Sequence, residues 1–204
     1  MKNRVLTLAA AVAILFGATA IASAQGSAGT TNNPTFELGA GYQLFKAGKV
    51  CNDDPLTETC SADRTFPFGV AIDAARNFGK LGIVAEGGWS FDSDESDGVD
   101  LKFNTWHLAG GARYNMRKAR FWPYAQILAG VIQDRLSLDI EDSDDFSQTS
   151  FMLQPGVGVN WVAGDGWALF GQFDYRRVFL DEEENLSSGR NDIRLFFGAR
   201  MILD

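Results

Sequence analysis

Apolar and polar residues alternate with a period of two over eight stretches of the chain: Thr35–Leu44, Thr65–Asn77, Leu81–Phe91, Asp100–Tyr114, Phe121–Arg135, Ser150–Val162, Trp167–Val178 and Asp192–Leu203. Side chains on a β-strand point to opposite faces in turn, so this period predicts strands with one apolar face each. Every stretch has about ten residues or more, the length a tilted strand needs to cross the hydrocarbon layer of a membrane. An even number of antiparallel strands can close on itself, and the expected fold is all-β, an eight-stranded antiparallel up-and-down transmembrane β-barrel.

The connections alternate in kind. The first, third, fifth and seventh read as long and acidic: Phe45 to Arg64 with Asp53, Asp54 and Glu58, then DSDESDG from Asp92, DIEDSDD from Asp139 and DEEEN from Asp181. The second, fourth and sixth are short: Phe78-Gly79-Lys80, the basic MRKAR from Met116, and Ala163-Gly164-Asp165-Gly166. Long outer loops opposite short periplasmic turns are the arrangement of single-chain outer-membrane barrels.

A soluble barrel of the lipocalin kind also alternates, with its apolar face inside, so the composition of the two faces has to decide. In the last stretch Ile193, Leu195, Phe197, Ala199, Met201 and Leu203 share one face, and Arg194, Phe196, Gly198, Arg200 and Ile202 the other. Gly39, Gly41, Gly69, Gly82, Gly88, Gly111, Gly156, Gly158 and Gly198 all fall on the polar face. Glycine inside a strand marks a place with no room for a side chain, which a narrow lumen explains and a water-facing surface does not. Aromatic residues cluster near strand ends. Tyr114, Phe121, Trp122, Trp161 and Trp167 flank the short turns, and Trp89, Phe91, Trp106 and Tyr175 fall toward the acidic loops, as in the two interfacial girdles of a membrane barrel. Pro155 sits within a strand, where its missing N–H predicts a local bulge; Pro67 and Pro123 lie near strand starts.

The N-terminus adds an export signal. Lys2 and Arg4 precede an apolar run from Val5 to Ile21 that ends in Ala22-Ser23-Ala24. The small residues and the polar QGSAGTTNNP that follows favour cleavage after Ala24 over an uncleaved anchor. The expected organisation is a signal peptide at 1–24, a flexible segment at 25–34 and the barrel at 35–204. No other apolar run is long enough for a helical span, so a membrane location requires a closed barrel. Loss of Lys2 and Arg4 takes the formal net charge from −8 to about −10, which disfavours nucleic acid as a partner. Cys51 and Cys60 lie in a polar segment of an exported chain and read as a disulfide closing a surface loop. A metal or redox site is the alternative, but no His is near and the spacing is not Cys-x-x-Cys.

Phasing the strands places Glu37, Asp73, Glu86 and Asp174 inside with Arg113, Arg176, Arg194, Arg200 and the sole histidine, His107. Ion pairs are expected between Glu37 and Arg200 and between Asp174 and Arg194, filling and neutralising a lumen too narrow for a broad aqueous pore. Proton or ion passage is the functional alternative. The Gly-x-Gly pairs at Gly39 and Gly156 lie within strands and are not phosphate loops. In DSDESDG the positions five and six of a calcium loop are Ser96 and Asp97, so the register fails, leaving a solvated acidic loop or loose divalent binding that bridges to lipopolysaccharide phosphates.

GAGYQL at Gly39, QPGVGVNW at Gln154, FDYRRV at Phe173 and RLFFGARMIL at Arg194 resemble the small outer-membrane β-barrel family typified by OmpA and OmpX, with a looser likeness to OmpW. Members commonly end on an aromatic residue read by the barrel-assembly machinery, whereas this chain ends Leu203-Asp204, and no peptidoglycan-binding domain follows the eighth strand. The resemblance implies residence in the outer membrane of a Gram-negative bacterium, contact with outer-membrane lipids and lipopolysaccharide, passage through the barrel-assembly machinery, and a monomer without cofactor or metal. Lipid-modifying barrels of that membrane use a His with nearby Ser and Glu; here the residue two beyond His107 is Ala109 and no nucleophilic serine stands beside it. Three functions are therefore weighed: a structural or surface-interaction barrel first, then a narrow channel for ions or small apolar solutes, and last a lipid-modifying enzyme.

Overall fold

The computed structural model describes residues 36–50, 63–96, 99–117, 120–138, 146–164, 166–180 and 189–203. The expected signal peptide, the 25–34 segment, Cys51, Cys60 and the DEEEN run lie outside the described residues.

The described residues form nine strands: β1 (Phe36–Ala47), β2 (Arg64–Phe66), β3 (Phe68–Phe78), β4 (Leu81–Ser96), β5 (Val99–Asn115), β6 (Phe121–Leu138), β7 (Phe146–Gly164), β8 (Trp167–Phe179) and β9 (Gly189–Leu203). β1 pairs antiparallel with β2 and β3, each strand from β3 to β8 pairs antiparallel with the next, and β1 pairs with β9, closing the sheet. β2 and β3 are two parts of one barrel strand divided at Pro67, so the barrel has eight strands. No helix among the described residues is long and apolar enough to cross a membrane, a fact that does not bear on a barrel, which crosses with strands.

The pairings fix the stagger of the barrel. Starting at Phe36, the row of facing residues runs through Arg76, Ile83, Ala112, Ile127 and Pro155, crosses to Tyr175 by the register that holds on either side of the proline, and passes Ile193 to return to β1 at Lys46, ten residues beyond its start. With strands about 4.8 Å apart and a rise of about 3.3 Å per residue, that stagger tilts the strands by about 40° from the barrel axis. Short turns at one end carry glycine where φ must be positive, Gly79 at 70° and Gly166 at 78°.

The alternation sorts the side chains as a membrane barrel requires. Outward positions expose Val70, Ile72, Ile83, Ile127, Val157, Leu195 and Phe197. Inward positions hold the buried charges and amides, and there a Cβ on Gly39 would strike the Asp73 carboxylate, one on Gly111 the Ile127 carbonyl and one on Gly156 the Asp174 carboxylate. Outward-facing Gly171 has open space where its Cβ would be.

Three expectations are corrected. First, the bulge is not at Pro155. Pairing of β7 with β8 skips Gln154 and Pro155 but resumes at Gly156 in the same register; the irregularities fall instead between Val162 and Gly164, and at Pro67, where the β1 register shifts by one residue between Phe45↔Phe66 and Tyr42↔Val70. Second, the third connection is not a long loop: Asp92 to Ser96 pairs with Val99 to Phe103, so the acidic run continues the β4–β5 hairpin above the bilayer, where water solvates carboxylates on a strand as readily as on a loop. Third, Trp122 does not join the girdle. It is buried in the lumen, because Phe121 takes the outward position and adjacent strand residues face opposite ways.

Candidate functional site

Among the described residues the lumen is where buried ionisable groups converge, and its occupants come from inward positions of every barrel strand. Glu37, Asp73, Glu86, His107, Arg113, Asp174, Arg176, Arg194 and Arg200 are all buried there. They form two linked clusters.

Nearer the short-turn end, Arg113 and Arg200 share one oxygen of Asp73, at 2.7 and 2.8 Å. Both also approach Glu37 Oε2, at 3.4 and 3.7 Å. Asn77 donates to Glu37 at 2.9 Å, Arg113 donates to Gln126 at 3.0 Å and Arg200 donates to Asn160 at 2.7 Å. The Arg200 guanidinium lies 4.5 Å from the centre of the Phe170 ring and 5.2 Å from that of Tyr124, so its faces are occupied as well as its edge.

At mid-barrel, Arg194 Nη2 lies 2.7 Å from Glu86 and 2.8 Å from Asp174, while its Nε donates to Asp174 at 2.9 Å and its Nη1 donates to Gln43 at 3.0 Å. His107 Nε2 stands 3.2 Å from Arg194 Nη1 and 3.4 Å from Glu86. Gln172 bridges the clusters: it donates to Glu86 and Asp174 and accepts from the Tyr124 hydroxyl at 2.8 Å. Arg176 is held by neutral groups, donating twice to Gln154 at 2.9 and 2.7 Å with the Phe45 ring 5.2 Å away. Phe45, Phe66, Ile132, Met152 and Val178 pack as an apolar layer in the lumen on the loop side of this network.

Above that layer, Arg190 pairs with Asp134 and Asp192, both at 2.8 Å, and Asp192 accepts from the Gly48 N–H. At the rim the Lys46 ammonium, 2.7 Å from Asp63, holds that exposed carboxyl below the usual carboxylate range by hydrogen bond and charge. Among the described residues no group of three or more His, Cys, Asp or Glu is arranged to hold a metal ion.

Phasing of charged residues alone does not reveal the amides that stitch these clusters together: Gln43, Asn77, Asn115, Gln126, Gln154, Asn160 and Gln172 are all buried in the lumen. The signal was their inward register, shared with a buried charge on β1, β3, β5 and β8 and with buried Leu128 and Met152 on β6 and β7, which hold no buried charge.

A closed barrel with an apolar exterior, a charged and plugged interior and turns of unequal length is a membrane protein of one kind. Residues 8–199 match the outer membrane protein beta-barrel domain family. The chain belongs to that family, and its place is the bacterial outer membrane. No curated protein matches the sequence significantly. Among solved structures, Neisserial surface protein A superposes with a TM-score of 0.57 at 16% identity, covering 84% of this chain and 99% of that one. Ail of Yersinia pestis, crystallised with the heparin analogue sucrose octasulfate, gives 0.49 at 14% identity over 81% and 99%. OprG of Pseudomonas aeruginosa gives 0.48 at 12% identity over 81% and 94%. At these identities the likeness is one of fold.

Proposed function

We propose that this barrel is a non-conducting, non-enzymatic platform that holds an acidic surface outside the cell. The observation that carries the reading is the unequal height of its wall. β4, β5, β6 and β7 run 16, 17, 18 and 19 residues, against 12 in β1, 13 in β8 and 15 in β9. About 9–11 residues suffice to cross the bilayer. The excess lies at the loop end, where four adjacent strands continue into water as a sheet. By the family rule that short turns face the periplasm, that sheet stands at the cell surface.

The filled lumen argues in the same direction. The charged side chains of the two clusters are bonded to one another or to buried amides, and Phe45, Ile132 and Met152 fill lumen space on the loop side. In planar bilayers the purified protein is expected to give no reproducible conductance. Stable channels abolished by Arg194 or Arg200 substitution would overturn this in favour of a narrow transporter. Against an enzyme stands the setting of His107, which meets Glu86 and Arg194 rather than a nucleophile; a lipid-processing activity lost in His107→Ala would overturn that part.

The reading includes a monomer assembled by the barrel-assembly machinery, in contact with lipopolysaccharide, using no cofactor and no nucleic acid. It also includes a Cys51–Cys60 disulfide stiffening the first outer loop. Unreduced protein unfolded in denaturant is then expected to take up no maleimide, and reduced protein two per chain.

A further inference from the structure

The outer wall is not uniformly convex. Across β8, β9, β1, β3, β4 and β5 a groove of about 560 Å³ opens toward the membrane, floored by Ala74, Ala85 and Gly87 and walled by Leu38, Leu108 and Trp167. Its size is that of a small-ligand pocket, and its surroundings are acyl chains.

Arg76 stands at the short-turn end of this groove. It follows Ala74 on the outward face of β3, is exposed, and lies with its guanidinium 5.5 Å from the Phe78 ring. Among the described residues no carboxylate pairs with it. The other exposed charges described at that end are Lys80 and Arg120, also cationic, whereas the described acids there, Glu37 and Asp73, are buried in the lumen.

We propose that the groove and Arg76 together form a binding site for an anionic glycerophospholipid of the periplasmic leaflet. The phosphate would accept from the Arg76 guanidinium, with Lys80 adding to the local positive charge, and one acyl chain would run up the groove past Ala74 and Ala85. A guanidinium at the interface matches a phosphate in charge and in its paired donors, and its apolar stem suits the membrane side. Between apolar surfaces in lipid, association depends on close packing rather than on release of water, so a groove that follows a chain is what gives selectivity.

The test is native mass spectrometry of the full protein, released from detergent after incubation with an equimolar mixture of phosphatidylglycerol and phosphatidylethanolamine. One retained phosphatidylglycerol per barrel is expected, with occupancy falling at least fivefold in Arg76→Glu and also in Ala74→Phe/Ala85→Phe, which fills the groove and leaves the arginine. Arg120→Gln should keep the lipid. Heat-modifiable gel migration confirms that each variant is folded, and Ala74→Leu alone serves if the double variant is not. Equal retention of both lipids with no response to Arg76→Glu would overturn the site, as would a lipid-free dimer or lipopolysaccharide in the phospholipid's place. Failure of the barrel to insert into vesicles at all would instead strike at its membrane placement.

Discussion

Replacing Arg194 by methionine is expected to lower the unfolding free energy of the barrel by about 3–5 kcal/mol, the usual cost of removing one partner from a buried ion pair. Arg194 is the cation common to Glu86 and Asp174, and it also donates to Gln43. Without it two carboxylates face each other across a lumen walled off from water, and the nearest remaining guanidinium, Arg176, is engaged with Gln154. Urea titration of protein refolded in detergent, followed by tryptophan fluorescence and gel migration, reads the effect. The companion variant Arg194→Met/Glu86→Gln/Asp174→Asn removes the orphaned charges as well and is expected to recover most of the loss, because a neutral polar filling carries a smaller desolvation penalty than an unpaired ion. If the single variant matched the parent within 1 kcal/mol, the lumen would have to admit water freely, and the plugged interior would be wrong.

How far the sequence discloses this molecule depends on which physical rule each residue obeys. Strand number, order and facing were legible because a period of two leaves little freedom: once Leu195 faces lipid, Arg194 and Phe196 must face the lumen. The same rule, applied strictly, would have placed Trp122 inside, since its neighbour Phe121 claims the outward position. The run from Asp92 was illegible for a different reason. Hydrophilic composition suggests a loop only because most loops are wet, and a strand that has already left the bilayer is wet too. Prolines were misjudged through their ladder. Pro155 points outward and costs β7 two pairings without changing register, whereas Pro67, near a strand start, shifts it. Neighbouring strands were enough to anticipate two lumen pairs, Glu37 with Arg200 and Asp174 with Arg194, which lie 3.7 and 2.8 Å apart; the contacts that cross the bore, such as Arg194 with Glu86 and Arg113 with Asp73, depend on the ten-residue stagger, which no single strand encodes.

That stagger closes at the seam between β1 and β9, and the second large effect is expected there. Gly41 and Gly198 face each other across it. A Cβ on Gly198 would meet the Ala40 carbonyl and come within 2.6 Å of Gly41 Cα; one on Gly41 would come within 2.8 Å of Gly198 Cα. These obstacles are backbone, which cannot rotate aside, so Gly198→Val is expected to cost about 3 kcal/mol or more, the upper end of overpacking penalties. Valine favours strands, so propensity alone would predict the opposite sign. Gly171→Val is the control. That residue lies on the neighbouring strand β8, faces lipid with open space where its Cβ would be, and should leave the heat-modifiable band unchanged while Gly198→Val diminishes or abolishes it. Equal folding of the two would mean that the strands do not meet at the spacing and register described, and the closed barrel would fail with it.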